Sequence, residues 1–254
     1  MAALPVILLY SLGYHLNSKL QLVKTGGIYI SSPVSGSQIF VDNKLEKETN
    51  ILQDGLFLEN LKPGTYSILV GKQGYWPWAK ELKVKEQFVT EARALILPKN
   101  PEGKVLLKEN FSPLESSKYE KILGLLKNMQ TGTTTEILER FSNHEREKLW
   151  WNPKKNKVWV EWLRGKNSRP YYMNENKILV LNSQFSIRNA EFYPGRNDVI
   201  IVAVQNGIFA VEIDERGGKN MQPIYKGKKP FFTTYKKESA VYILEEGALI
   251  KIKL

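Results

Sequence analysis

The chain of 254 residues has no cysteine, only two histidines and only four aspartates. Without cysteine there are no disulfides, no thiolate catalysis, no iron–sulfur clusters and no zinc ribbons. His15 and His144 lie far apart, which argues against a histidine-rich metal site within one chain. Asp42, Asp198 and Asp214 fall at turn-like positions and Asp54 precedes Gly55, where aspartate stabilises loops by bonding its own backbone. The sequence lacks G-x-S-x-G, the P-loop, G-x-G-x-x-G and H-E-x-x-H. A Ser–Lys or Glu–Glu site is not suggested by any spacing. No metal or cofactor is therefore expected, and no catalytic residue is assigned. Long apolar runs are also missing. Near the start the run Ala2–Tyr14, without a charge, spans 13 residues. As a helix it would reach roughly 20 Å, against about 30 Å for a bilayer's hydrocarbon core.

What is present belongs to a folded chain: 42% apolar and 25% charged residues. The formal net charge is +11, unevenly spread. Residues 26–98 balance eight basic against eight acidic residues, whereas residues 99–254 carry 27 basic and 18 acidic ones. A basic half suits nucleic acid, an anionic polymer, a membrane surface or plain solubility. The shift near residue 98 marks a boundary. The run Ala2–Tyr14 has no basic region before it and no clear cleavage site after it. It reads as a buried apolar helix of the first domain, a signal peptide, or the tail of a membrane anchor that begins upstream.

From Gly26 onward, apolar residues recur at period two: Ile28 and Ile30, Ile39 and Val41, Tyr66, Ile68 and Val70, then Leu82 and Val84. Such alternation predicts strands with one buried face. Pro33-Val34-Ser35-Gly36, Asp42-Asn43, Lys62-Pro63-Gly64 and Gln73-Gly74 supply turns between them. With no helical stretch intervening, a small antiparallel β-sandwich is expected. Gly64 after Pro63 suits a type II turn with positive φ, where valine would be strained. Tyr66 would then place its ring on the core. Tyr75, Trp76 and Trp78 cluster at a turn, and would either cap the sandwich or form a stacking platform for a ligand such as a sugar ring.

The order Ser32-Pro33…Gly36-Ser37, Ile39-Phe40-Val41-Asp42, Leu61-Lys62-Pro63-Gly64-Thr65-Tyr66, Gly74-Tyr75 and Leu95-Ile96-Leu97-Pro98 resembles the PEGA domain, a bacterial β-sandwich module of surface proteins. The namesake Pro-Glu-Gly-Ala turn is not reproduced: Pro33–Ser37 is one residue longer and lacks its Glu and Ala. In membrane-bound relatives of that family the module follows a transmembrane helix ending in Gly-Tyr and a short polar link. Gly13-Tyr14 followed by Thr25-Gly26 is similar to that junction. The resemblance therefore favours the truncated transmembrane anchor, with the folded part on the extracytoplasmic face.

Residues 99–139 read as a linker with one short helix, Ser117–Met129, burying Ile122, Leu125, Leu126 and Met129. Thr131–Thr135 reads as a loop. Beyond residue 140 a unit repeats. Val199–Val204, Gln205-Asn206-Gly207 and Ile208–Ile213 form a hairpin, echoed by Ala240–Leu244, Glu245-Glu246-Gly247 and Ala248–Ile252. Lys148–Asn152 with Lys157–Trp162 is a third copy. Ile187–Phe192 and Phe231–Tyr235 lead two of the units, and Met221–Tyr225 is an additional fourth strand. Periods of 40–50 residues with such strands indicate a partial or small β-propeller-like domain. The last unit ends one strand short, so Lys104–Lys108 is expected to pair with Ala248–Leu254, tying residue 104 to residue 250.

The expected organisation is thus mainly β: 1–25 an apolar anchor and link, 26–98 a PEGA-like sandwich, 99–139 a linker, and 140–254 propeller-like repeats. Half of the Trp150, Trp151, Trp159 and Trp162 set should be core, since strand positions alternate. The loop Glu212–Asn220, with Gly217 and Gly218, is the most site-like, and is more simply a solvated connection. The expected function is non-enzymatic: an envelope binding or scaffold protein recognising a polysaccharide or a surface protein. The other readings are a hydrolase or lyase on the propeller face, acting on glycans or lactones, and a nucleic-acid binder. Lys226, Lys228, Lys229, Lys236 and Lys237 form the densest basic cluster, but the hydrophobic N-terminus opposes the nucleic-acid reading.

Overall fold

A computed structural model describes residues 13–16, 20–106, 113–131, 137–152, 154–235 and 238–254. The fold is mainly β, built from several separate sheets. It divides into two compact units, one ending at Ile96 and including Arg216–Gly218, the other made of Leu97–Glu215 and Lys219–Leu254. Residues 1–12 of the expected apolar helix lie outside the described residues. Tyr14, its last member, opens a strand instead. That strand, β1 (Tyr14–Leu16), pairs antiparallel with β2 (Leu22–Lys24). Among the described residues no helix is long and apolar enough to cross a membrane.

The first unit continues with β3 (Gly26–Ser31), β4 (Gln38–Val41), β5 (Lys44–Glu48), β6 (Gly55–Leu61), β7 (Gly64–Gly71), β8 (Trp78–Val84) and β9 (Val89–Arg93). These make a three-stranded sheet, β6-β3-β9, and a four-stranded sheet, β5-β4-β7-β8. Alternation does the work the sequence promised: Ile28, Ile30, Ile39, Ile68 and Val70 are all fully buried. In β8 every second residue points inward, from Trp78 through Leu82 to Val84. The arrangement is sandwich-like, but not wholly antiparallel. β9 runs parallel to β3 because the chain crosses from one sheet to the other after β8 and re-enters alongside β3.

The turns explain several of the small residues. Ser32 and Ser37 are completely buried, with Ser32 Oγ donating to Ser37 Oγ at 2.9 Å and Ser37 Oγ donating to the Val34 carbonyl at 2.6 Å. Thr49 Oγ1 donates to the same carbonyl at 3.0 Å, so hydroxyls satisfy the backbone of the turn. Asp42 and Asn43 adopt φ of 48° and 67°, as a two-residue hairpin turn of the I′ kind requires. Gly64 departs from expectation. It lies at the start of β7, not in the left-handed region, and a Cβ there would meet nothing nearer than 3.9 Å. Asn60, at φ 60°, takes the positive φ before this turn, so valine at 64 meets none of the strain foreseen. Tyr66 is half-buried, its hydroxyl donating to the Lys62 carbonyl at 2.9 Å, which braces the turn rather than filling the core.

The second unit begins with β10 (Gly103–Leu106) and helix α1 (Pro113–Thr131). The helix extends beyond the predicted Ser117–Met129. It buries Ile122 and Leu126, but Leu125 is 54% exposed, on the wrong side of the stripe. Gly132–Thr135 lie outside the described residues. Then come β11 (Leu138–Phe141), β12 (Glu147–Asn152), β13 (Lys157–Trp162), β14 (Lys177–Asn182), β15 (Ile187–Phe192), β16 (Val199–Val204), β17 (Gly207–Glu212), β18 (Met221–Lys226), β19 (Phe231–Thr234), β20 (Ala240–Glu245) and β21 (Ala248–Lys253).

These strands form three four-stranded antiparallel sheets, ordered β11-β12-β13-β14, β15-β16-β17-β18 and β10-β21-β20-β19. Their internal equivalence is visible in the backbone. Between first and second strands the amide of Glu145 donates to Ser142, that of Arg196 to Tyr193, and that of Glu238 to Tyr235, at 3.0, 3.0 and 2.9 Å. The third sheet is completed from upstream, with Lys104 opposite Lys251 and Val105 opposite Ile250. That is one position from the expected register; Leu107 and Lys108 lie outside the described residues.

Leu149, Trp151, Val158 and Val160 of the first sheet share a core with Ile200, Val202 and Val204 of the second. On the third sheet, α1 packs Ile122 and Leu126 against Tyr242 and Leu244. No closed ring of sheets forms among the described residues.

Candidate functional site

Of the three aromatic residues singled out as a stacking platform, Trp78 is fully buried. It heads the inward row of β8, so its ring belongs to the core and no ligand reaches it. Tyr75 and Trp76 are half-buried in the preceding turn. Lys72 Nζ lies 5.1 Å from the centre of the Tyr75 ring, and the Tyr75 amide donates to the Lys72 carbonyl at 3.1 Å. With Trp78 in the core and a lysine against Tyr75, the three make no shared platform.

The first sheet of the second unit offers a better one. Strand alternation sends Trp151 and Trp162 inward, at 0% and 6% exposure, and leaves Trp150 and Trp159 half-buried on the other face. Trp150 stands directly opposite Trp159 in the β12–β13 register. Their ring centres are 5.8 Å apart with planes inclined by 13°, an offset stack. Lys177 of β14 brings its Nζ to 4.7 Å from the Trp150 ring and 4.9 Å from the Trp159 ring. Beside them Lys148 Nζ lies 3.3 Å from Glu139 and 3.7 Å from Glu161. The result is an apolar aromatic strip with one cation over it and a charged rim. Such a strip presents ring faces to the C–H face of a sugar, while lysine and carboxylates meet hydroxyl or acidic groups.

Several buried polar groups are engaged with one another. Tyr172 donates to Glu147 at 2.7 Å, and burial together with that carboxylate pushes its phenol far up. Asn197 Nδ2 lies 3.4 Å from the other Glu147 oxygen. Arg196 binds Asp198 through both Nε, at 3.0 Å, and a second nitrogen, at 2.6 Å. Burial disfavours the guanidinium charge there, but the bonds to Asp198 and the nearby Glu212 outweigh it and raise the arginine. In the loop Glu212–Asn220, Glu212 accepts from the Asn220 amide and side chain at 3.1 and 2.9 Å, so its carboxylate closes its own turn. Within the basic cluster Lys228 is paired with Glu246 at 2.7 Å, and the amides of Lys228 and Lys229 donate to Glu245; Lys236 and Lys237 lie outside the described residues. Among the described residues no group of acidic or histidine side chains is arranged to hold a metal.

A second charged cluster fastens α1 to the third sheet. Glu238 accepts from Lys118, from the Tyr242 hydroxyl at 2.5 Å and from Lys251 at 3.0 Å. Lys118 Nζ also sits 5.4, 4.8 and 5.6 Å from the rings of Tyr119, Tyr235 and Tyr242. The Lys118 and Tyr242 bonds hold the Glu238 carboxyl down, from an ordinary 4.5 to about 2. A depressed folded-state value means stability present in full above the unfolded pKa and lost as pH falls through the folded one. Stability, followed through the melting temperature, should therefore decline between pH 4.5 and 2 by an increment that Glu238→Gln lacks. With the side chain 31% exposed, screening limits that increment to about 1 kcal/mol. Identical pH profiles for the two proteins would exclude the clamp.

No family model matches the chain, and no curated protein matches it.

Proposed function

We propose that the protein is a non-enzymatic binding or scaffold protein of a bacterial cell envelope, in which a PEGA-type sandwich follows an N-terminal membrane anchor and carries an open, propeller-like platform. The hydroxyl-closed Ser32–Ser37 turn, the I′ turn at Asp42-Asn43 and the braced Pro63–Tyr66 segment support the PEGA reading, because each gives a structural reason for a motif residue. Three equivalent four-stranded sheets, the last completed by β10, support the propeller-like reading. A helix covers the third sheet where a further blade would pack. The engaged state of Glu147, Asp198 and Glu212 favours binding over hydrolysis.

One observation carries the ligand class: the stacked Trp150–Trp159 pair under Lys177 on an outward sheet face. The ligand is an envelope polysaccharide, its sugar rings lying on the tryptophans. The test is titration of the full chain with N-acetylglucosamine oligosaccharides and with polygalacturonate, read by calorimetry and by tryptophan emission. Trp150→Ala and Trp159→Ala should each weaken binding about tenfold, the worth of one stacking contact. Lys177→Ala should weaken the polyanion more than the neutral oligosaccharide. Absence of binding to either probe, or equal binding by the double tryptophan variant, would defeat this reading.

A further inference from the structure

We infer that the outward face of the first sheet in the second unit binds an acidic polysaccharide, its carboxylates met by Lys157 and Lys177 on either side of the tryptophan pair. This rests on the glycan reading above and adds the charge of the polymer and the residues that meet that charge.

Alternation and register lay this face out in three rows. Asn152, Lys157 and Asn182 stand side by side across β12, β13 and β14. The next row holds Trp150, Trp159 and Leu179, and the third Lys148, Glu161 and Lys177. Lys157, Asn182 and Lys177 are exposed, and the others are half-buried. Neighbouring rows lie about 7 Å apart along β13, which puts the first and third about 13 Å apart. A sugar ring on the tryptophans therefore has a cation within reach on each side.

The charges on this face do not cancel. Lys148 is held by Glu139 and Glu161 together. Lys157 and Lys177 reach no carboxylate among the described residues. Lys177 lies against the two tryptophan rings, which attract an ammonium without neutralising it. Asn152 Oδ1 accepts from the Lys154 amide at 2.9 Å, so what it offers a ligand is its NH₂. With Lys157 between Asn152 and Asn182, the first row presents an ammonium flanked by two amides. Such a row complements a carboxylate, whose oxygens only accept.

The surplus positive charge of the second unit gathers on this same sheet. Residues 138–182 carry ten basic and five acidic residues, and Glu147 among the acids is buried. Residues 187–226 carry five of each, and residues 231–253 four basic and three acidic. Charge that served solubility alone would spread over the three sheets; here it surrounds an aromatic pair. A single strand of nucleic acid is the competing polyanion. Its successive bases stack on successive aromatic rings, whereas Trp150 and Trp159 are stacked on each other.

The full chain is titrated by calorimetry with polygalacturonate and with its methyl ester, the same sugar chain without the charge, at low and at high salt. The acid should bind about tenfold more tightly than the ester, the worth of two exposed charge contacts. That margin should shrink as salt is raised. Lys157→Ala should weaken the acid about fivefold and leave the ester unchanged. Lys253→Ala is the matched control: it removes the same charge from an exposed position on the third sheet and should change neither affinity. Melting temperatures check that both variants fold. Equal affinity for acid and ester overturns the inference and leaves the tryptophan platform standing. Equal losses from Lys157→Ala and Lys253→Ala overturn it too, because net charge alone then does the binding. So does tighter binding of oligothymidylate than of polygalacturonate, which makes the occupant a nucleic acid. If no sugar polymer binds, charged or neutral, the glycan reading fails together with this one.

Discussion

Glu191→Ala is expected to destabilise the second unit by about 3 kcal/mol, because it strands buried donors that the carboxylate satisfies. Glu191 is 8% exposed and lies on β15, the first strand of the middle sheet. Its Oε1 accepts from Asn189 Nδ2 at 3.0 Å and from Thr233 Oγ1 at 3.1 Å. Its Oε2 accepts from the Thr234 amide at 2.8 Å and from Thr234 Oγ1 at 2.6 Å. The carboxylate thus joins β15 to β19, neighbouring strands of different sheets. Alanine removes the acceptor and leaves donors stranded in a dry seam, each costing about 1–3 kcal/mol when unsatisfied. The threonine hydroxyls can turn elsewhere; the Thr234 amide cannot. Glu191→Gln separates geometry from chemistry, because it keeps the shape but aims an amide nitrogen at donors. Its loss should be intermediate. Urea denaturation followed by tryptophan emission is the measurement. Because Trp150, Trp151, Trp159 and Trp162 all belong to the second unit, it dominates the signal. A midpoint within error of the parent would mean that the two sheets are held by apolar packing alone.

The strands were legible because alternation and turn chemistry act locally. Val199–Val204 and Gly207–Glu212 declare themselves by β-branched residues around a two-residue turn, and the register follows from the turn. The tryptophans were half legible. Adjacency placed Trp150 and Trp151 on opposite faces, but only sheet stacking decides which face is outside. Trp78 misled because a turn and a strand meet there: it stands close to Tyr75 and Trp76 in sequence, yet belongs to the inward row of β8. Gly64 misled because Pro-Gly is also compatible with a strand start, the left-handed residue being Asn60. Glu191 and the Arg196–Asp198 pair gave no signal. In a strand or turn a charged residue reads as outward, and the partners that bury Glu191 come 42 and 43 residues later. The parallel β9 was hidden for the same reason, since a crossover between sheets leaves no mark on either strand.

Leu106→Asp should unlock the third sheet and cost a comparable 3 kcal/mol or more, as a carboxylate enters an apolar site without a partner. Among the described residues β10 is the only neighbour of β21 on its outer side, and it spans just four residues. Its hold comes from two sources: ladder bonds with Leu249–Ile252, and Leu106, 6% exposed in a cluster with Ile122, Leu126, Tyr242 and Leu249. Aspartate there sets its own solvation against the pairing, and the strand peels away. What remains is β21 as a bare edge, with Leu249 and Ile252 behind it, a template for edge-to-edge association. The same substitution also loosens α1, because Ile122 and Leu126 lose a wall. Two readings should move together: a lower thermal midpoint, and growth of light scattering well below that midpoint. Val105→Lys is the matched contrast. Val105 is 52% exposed on the same strand, so lysine leaves the core untouched and places a charge on the sheet's outer edge, where charge discourages association. It should melt like the parent and scatter no more. If Leu106→Asp stays monomeric with an unchanged midpoint, β10 is an accessory to the third sheet. The connection from residue 103 to residue 252 would then do nothing to hold Leu97–Leu254 as one folding unit.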